Sequence, residues 1–115
     1  MLKESMARLA DRPEVVGAAL LSSDGLPVQS TFPPGADTDA AVALAATIAR
    51  HGDELGAAVG GEDAGSFVLD FTTRVVIVSR LDPDTRLLVL ARGDADLGDL
   101  LYLLRQEQGA LSAQL

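Results

Sequence analysis

The sequence predicts an α+β domain, one five-stranded and mostly antiparallel sheet with helices over it. Three observations carry that expectation. Five apolar runs of strand length occur along the chain. Three of the connections between them are too short for anything but hairpins, and parallel neighbours need a crossover of about a dozen residues or more. Consecutive apolar positions, as in Val75-Val76-Ile77-Val78 and Leu87-Leu88-Val89-Leu90, demand cover on both faces, and helical segments are available to give it. At 115 residues the chain reads as one domain, 1–115, able to build a core without a disulfide or metal staple.

Leu2, Met6 and Leu9 recur at helical spacing, and Asp11-Arg12-Pro13 ends this first helix because the residue before proline is pushed out of the α region. Val15 to Leu21 is a buried strand. Ser23-Asp24-Gly25 is a tight hairpin turn that needs a positive φ, and Leu26 to Thr31 is the returning strand. Pro27 lacks an N–H, which places that strand at a sheet edge. Phe32-Pro33-Pro34-Gly35 breaks the chain, and Asp37 or Thr38 caps a helix over Ala40 to Leu55. Gly60, Gly61 and Gly65 close it off. Three strands follow, at Ser66 to Phe71, Arg74 to Arg80 and Arg86 to Arg92, joined by Thr72-Thr73 and by Asp82-Pro83-Asp84. Asp94 or Asp96 caps a last helix, with Leu97, Leu101, Leu104, Leu111 and Leu115 on one face and Leu100 and Leu103 beside it. The order is α-β-β-α-β-β-β-α.

Composition excludes several classes of function. There is no Cys, so there is no thiol nucleophile, and the single His, His51, leaves little for a metal site. A net charge of −8 argues against nucleic acid and anionic membranes as partners. Aromatic residues are 3% of the chain, too few for a base-stacking platform. Met1 to Ala10 has no apolar run and no segment reaches the ~20 apolar residues of a membrane span, so a cytoplasmic protein without membrane insertion is expected.

The middle helix is the most informative segment. Ala41, Leu44, Ala45, Ile48 and Leu55 share one face and are expected on the sheet. Ala40, Val42, Ala43, Ala46 and Ala49 fill the other faces of its first half, and a helix apolar all round is buried on more than one side. A second chain is the economical cover, since alanines let helix backbones approach closely. Helix propensity in an alanine-rich chain explains the same residues without a partner.

At this point the chain resembles a family. Val16-Gly17-Ala18-Ala19-Leu20-Leu21-Ser22-Ser23-Asp24-Gly25-Leu26-Pro27-Val28 is similar to the opening hairpin of Roadblock (dynein light chain) domains. The alanine-rich helix, the strands at Arg74 to Val78 and Leu87 to Leu90, and Asp94-Ala95-Asp96-Leu97-Gly98 follow in the family's order. The resemblance implies an α/β/α sandwich of the Roadblock/longin/profilin-like kind. It also implies a homodimer that joins sheets through the third strand and pairs the middle helices, making a platform for a small Ras-like GTPase or a scaffold. MglB-like bacterial members act as GTPase-activating proteins. By this mapping Val42, Ala46, Ala49, Arg50 and Asp53 of the helix and Phe67, Val68 and Leu69 of the strand are the candidate dimer or partner residues. No cofactor is implied.

Catalytic alternatives are weaker. No Gly-x-x-x-x-Gly-Lys-[Ser/Thr] loop occurs, so the chain is not itself a P-loop GTPase. Gly60-Gly61-Glu62-Asp63-Ala64-Gly65 precedes a strand and reads as a loop. Asp82 and Asp84, and Asp94, Asp96 and Asp99, suit turns and caps better than a hard cation. Arg50 is a candidate arginine finger, but an exposed charge in the second half of a helix has a simpler role in solubility and the helix dipole. The expected function is a non-enzymatic dimeric regulator or scaffold. The alternatives are a small-ligand sensor of the PAS, GAF or profilin-like kind and a pure interaction scaffold.

Overall fold

The computed structural model describes residues 2–33, 37–61 and 65–115. Its elements are α1 (Leu2–Ala10), β1 (Val15–Ser22), β2 (Pro27–Ser30), α2 (Thr38–Val59), β3 (Ser66–Asp70), β4 (Arg74–Asp82), β5 (Thr85–Arg92) and α3 (Leu97–Ser112), in the expected order. Pro34 and Gly35 of the break, Glu62 to Ala64 of the glycine-rich loop and Met1 lie outside the described residues.

Local chemistry sets the boundaries. Gly25 takes the left-handed conformation, φ 82°, that the first hairpin requires, and its N–H donates to the Ser22 carbonyl. Asp37 caps α2 by accepting from the Ala40 N–H at 3.1 Å, and Asp96 caps α3 by accepting from the Asp99 N–H at 3.0 Å. α2 runs from Thr38 to Val59, longer at both ends than the sequence indicates. In the β4–β5 turn the Asp84 N–H donates to Asp82 Oδ1 at 2.8 Å, the side chain mimicking a backbone turn.

The strands form one sheet in the order β2-β1-β5-β4-β3, and all the pairings are antiparallel. β2 is an edge strand, as Pro27 requires. The pairing of β1 with β5 has no hairpin behind it and was not readable from local signals. It places Ala18 opposite Val89 and Leu20 opposite Leu87.

Alternation along the strands sends residues to two separate cores. Ala18, Leu20, Ile77, Leu87 and Val89 pack with Met6 and Leu9 of α1 and Leu100, Leu103, Leu104 and Leu111 of α3. Ala19, Leu21, Val78 and Leu88 pack with Val42, Ala45 and Ala46 of α2. The result is an α/β/α sandwich. Two helix faces differ from expectation. α3 turns so that Leu100, Leu103, Leu104 and Leu111 are buried while Leu97 and Leu115 are exposed. α2 turns so that Val42, Ala45, Ala46 and Ala49 meet the sheet, while Leu44 and Leu55 face outward, each 63% exposed.

Candidate partner interface

The rotation of α2 has two physical causes. The first is steric. Gly52 sits against the Phe67 ring of β3 so closely that a Cβ would overlap it, and Gly25 brings the first hairpin against Ala43 and Ala46. Small side chains on the inner face let the helix lie low over the sheet. The second is electrostatic. Asp53 continues the buried line of Val42, Ala46 and Ala49 by one turn and reaches two strand arginines. Its Oδ2 accepts from Arg80 Nη2 at 3.0 Å and from Arg86 Nη2 at 2.8 Å. Arg80 and Arg86 stand directly opposite each other on β4 and β5. Two guanidiniums side by side repel, so the α2 carboxylate between them holds helix and sheet in one register.

The large apolar residues of α2 are thereby left outside. Leu44 and Leu55 project from the helix, and Phe71, just past the end of β3, is 55% exposed. Between the first half of α2 and the sheet lies an apolar groove of ≈280 Å³, lined by Leu44 and Ile48 on one wall and Leu69, Phe71 and Val76 on the other. β3 forms the adjoining sheet edge and, among the described residues, pairs only with β4. Phe71 and Arg74 exchange both backbone hydrogen bonds across the hairpin. In an antiparallel ladder that exchange alternates, so the N–H and C=O of Ser66, Val68 and Asp70 point away from β4 and line the open edge.

Val42, Ala46 and Ala49 are 0%, 4% and 1% exposed, and this corrects the helix face assigned from sequence: they are packing residues against the sheet. Arg50 is exposed, Asp53 is half-buried in the ion pair, Phe67 is half-buried under Gly52, and Leu69 lines the groove. Val68 lies on the opposite sheet face, opposite Ile77. Leu44, Leu55 and Phe71 were not among the candidates, because apolar residues of that size are assigned to a core by default. Alternation puts Arg80 on one strand face with Val76 and Val78, and Arg86 with Leu88, but only the tertiary structure shows that α2 covers that face and that Asp53 meets both arginines.

Two of the residues weighed for metal binding have local partners. His51 Nδ1 lies 3.2 Å from Glu54 Oε2 on the exposed side of α2. Asp94 pairs with Arg92 Nε at 3.1 Å. Among the described residues no group of three His, Cys, Asp or Glu side chains is placed to hold a metal ion, and no helix is long and apolar enough to cross a membrane.

The sheet order, the helix on one face and the helix pair on the other define a three-layer domain of Roadblock/profilin-like architecture. Within that class the chain belongs to the Roadblock/LC7 domain family, whose sequence pattern matches residues 1–91. A Roadblock/LC7 domain from Streptomyces avermitilis is 30% identical and superimposes with a TM-score of 0.84 over 97% of this chain and 92% of its own. Myxococcus xanthus MglB superimposes with a TM-score of 0.90 over 97% of this chain and 92% of its own, at 14% identity. Profilin IA of Acanthamoeba castellanii shares the architecture more distantly, with a TM-score of 0.62 and 18% identity over 98% of this chain and 94% of its own. Among curated protein sequences no relative matches.

Proposed function

We propose that this protein is a dimeric regulator or scaffold that binds a small Ras-like GTPase and performs no chemistry of its own. The observation that carries the reading is the open β3 edge standing beside an uncovered apolar face of α2. Two copies related by a two-fold axis through that edge would pair β3 with β3 antiparallel and continue the sheet. Both α2 helices would then lie on the same face, with Leu44, Ile48 and Leu55 of one copy against those of the other. The interface contacts are thus the outer residues of α2 and the edge of β3, in place of Val42, Ala46 and Ala49. Membership of the Roadblock/LC7 family supports a GTPase as the further partner, in a cytoplasmic setting.

Light scattering should show a dimer. A small GTPase of the same organism, loaded with GTP or GDP, should be retained by the immobilised protein with a preference for one state. Faster GTP turnover on addition would mark a GTPase-activating role, and retention with unchanged turnover would mark recruitment. A monomer that retains the GTPase in neither state would overturn the reading.

A further inference from the structure

A small cavity lies under the second half of α2, on the opposite side of the helix from the apolar groove. It is ≈170 Å³ and is lined by Ser22, Ser23, Arg50, Asp53, Arg80, Asp84 and Arg86, among others. That is below the roughly 300 Å³ floor of sites for whole small molecules, so it suits a single functional group or ion. Its wall carries three guanidiniums and two carboxylates, in a chain whose net charge is −8.

The arginines are held differently. Arg86 keeps only 9% of its exposure. Its Nη2 donates to Asp53, while its Nη1 is buried without a hydrogen-bond partner among the described residues. A buried guanidinium nitrogen left in that state is costly, and in folded proteins it is met by water or by an ion. Arg50 stands exposed at the cavity with no ion pair among the described residues. Guanidinium donors lining one small space match the acceptor-only oxygens of a tetrahedral oxyanion. Asp84 opposes an anion here, and its carboxylate sets a limit on affinity.

We propose that this cavity is an oxyanion site that takes a phosphate group, with Arg86 and Arg50 as its principal donors. The site is independent of the GTPase reading and of the dimer edge.

The test is a titration of the intact protein with sodium phosphate, followed by amide and arginine-side-chain NMR, against sodium chloride at matched ionic strength. Saturable shifts at Ser22, Ser23 and Arg86 are expected with phosphate and not with chloride. Arg50→Ala, an exposed change that leaves the Asp53 pairs in place, should weaken phosphate roughly tenfold, the equivalent of one charge-assisted hydrogen bond. Arg86→Lys should abolish the shifts. If that variant fails to fold, Arg50→Ala decides alone. A parallel titration with glycerol 3-phosphate separates a closed ion site from one that accepts a phosphate carried on a larger molecule. Equal responses to phosphate and chloride, or an Arg50→Ala variant that titrates like the wild type, would show a water-filled cavity and overturn the proposal.

Discussion

Asp53 ties α2 to both β4 and β5. It is 26% exposed and its Oδ2 serves both Arg80 and Arg86. Replacing it by Ala leaves Arg86 buried beside a second cation. Breaking a buried pair from one side costs about 3 kcal/mol at the lower end of the usual range, and the partial exposure here argues for that end. Urea denaturation of Asp53→Ala should show a loss of that size. Gly52 is the companion case. Its Cβ would enter the Phe67 ring, so Gly52→Ala should cost about 1–3 kcal/mol through overpacking in spite of alanine's better helix propensity. A Gly52→Ala chain at least as stable as wild type would show that α2 can lift off the sheet at no cost. Neither residue stands out in the sequence as a local motif. Their weight comes from partners in β3, β4 and β5.

At the scale of elements, β3 and α2 present the surfaces that matter. Val68 directs its N–H to the open edge, so Val68→Pro removes a donor there and leaves the β3–β4 ladder intact. Proline is tolerated in an edge strand, and circular dichroism should show a retained fold. Light scattering should show loss of the dimer. Leu55→Glu places a carboxylate on the outward face of α2, where Leu55 is 63% exposed in the single chain. It should leave thermal stability of the monomer within about 0.5 kcal/mol, as surface changes do, yet weaken association. Ala46→Glu makes the contrast: at 4% exposure it would force a charge against the sheet and unfold the domain before it could report on any dimer. The existence of α2, a cap at Asp37 or Thr38 and its glycine-rich end were legible from residue types alone. Its rotation was not, because leucine and isoleucine mark an apolar face equally well whether a sheet or another chain covers it.

For the molecule as a whole, the net charge of −8 acts against self-association, since a pair of chains carries twice that charge. The surfaces offered for pairing are apolar and backbone edges, with little to be lost by screening. Dimerisation should therefore tighten as salt rises from low values toward about 0.5 M, where the Debye length falls well below the ~10 Å of 0.1 M salt. Analytical ultracentrifugation at several salt concentrations checks this. Weakening with salt would point to an interface held by opposite charges.

The element order, the hairpins at Asp24-Gly25 and Asp82-Pro83-Asp84, the edge position of β2 and the two-sided cover of the sheet were all determined by the sequence itself. Each depends on a few neighbouring residues: a positive φ at glycine, a missing N–H at proline, or the period of an apolar run. Tertiary structure alone decided that β5 inserts between β1 and β4, that β3 becomes the open edge, and that Val42, Ala46 and Ala49 turn inward while Leu44 and Leu55 stay outside. The reason is that these outcomes are set by contacts between distant segments. Phe67 under Gly52 and two strand arginines on one helix carboxylate fix the helix face, and no local pattern in α2 contains that information.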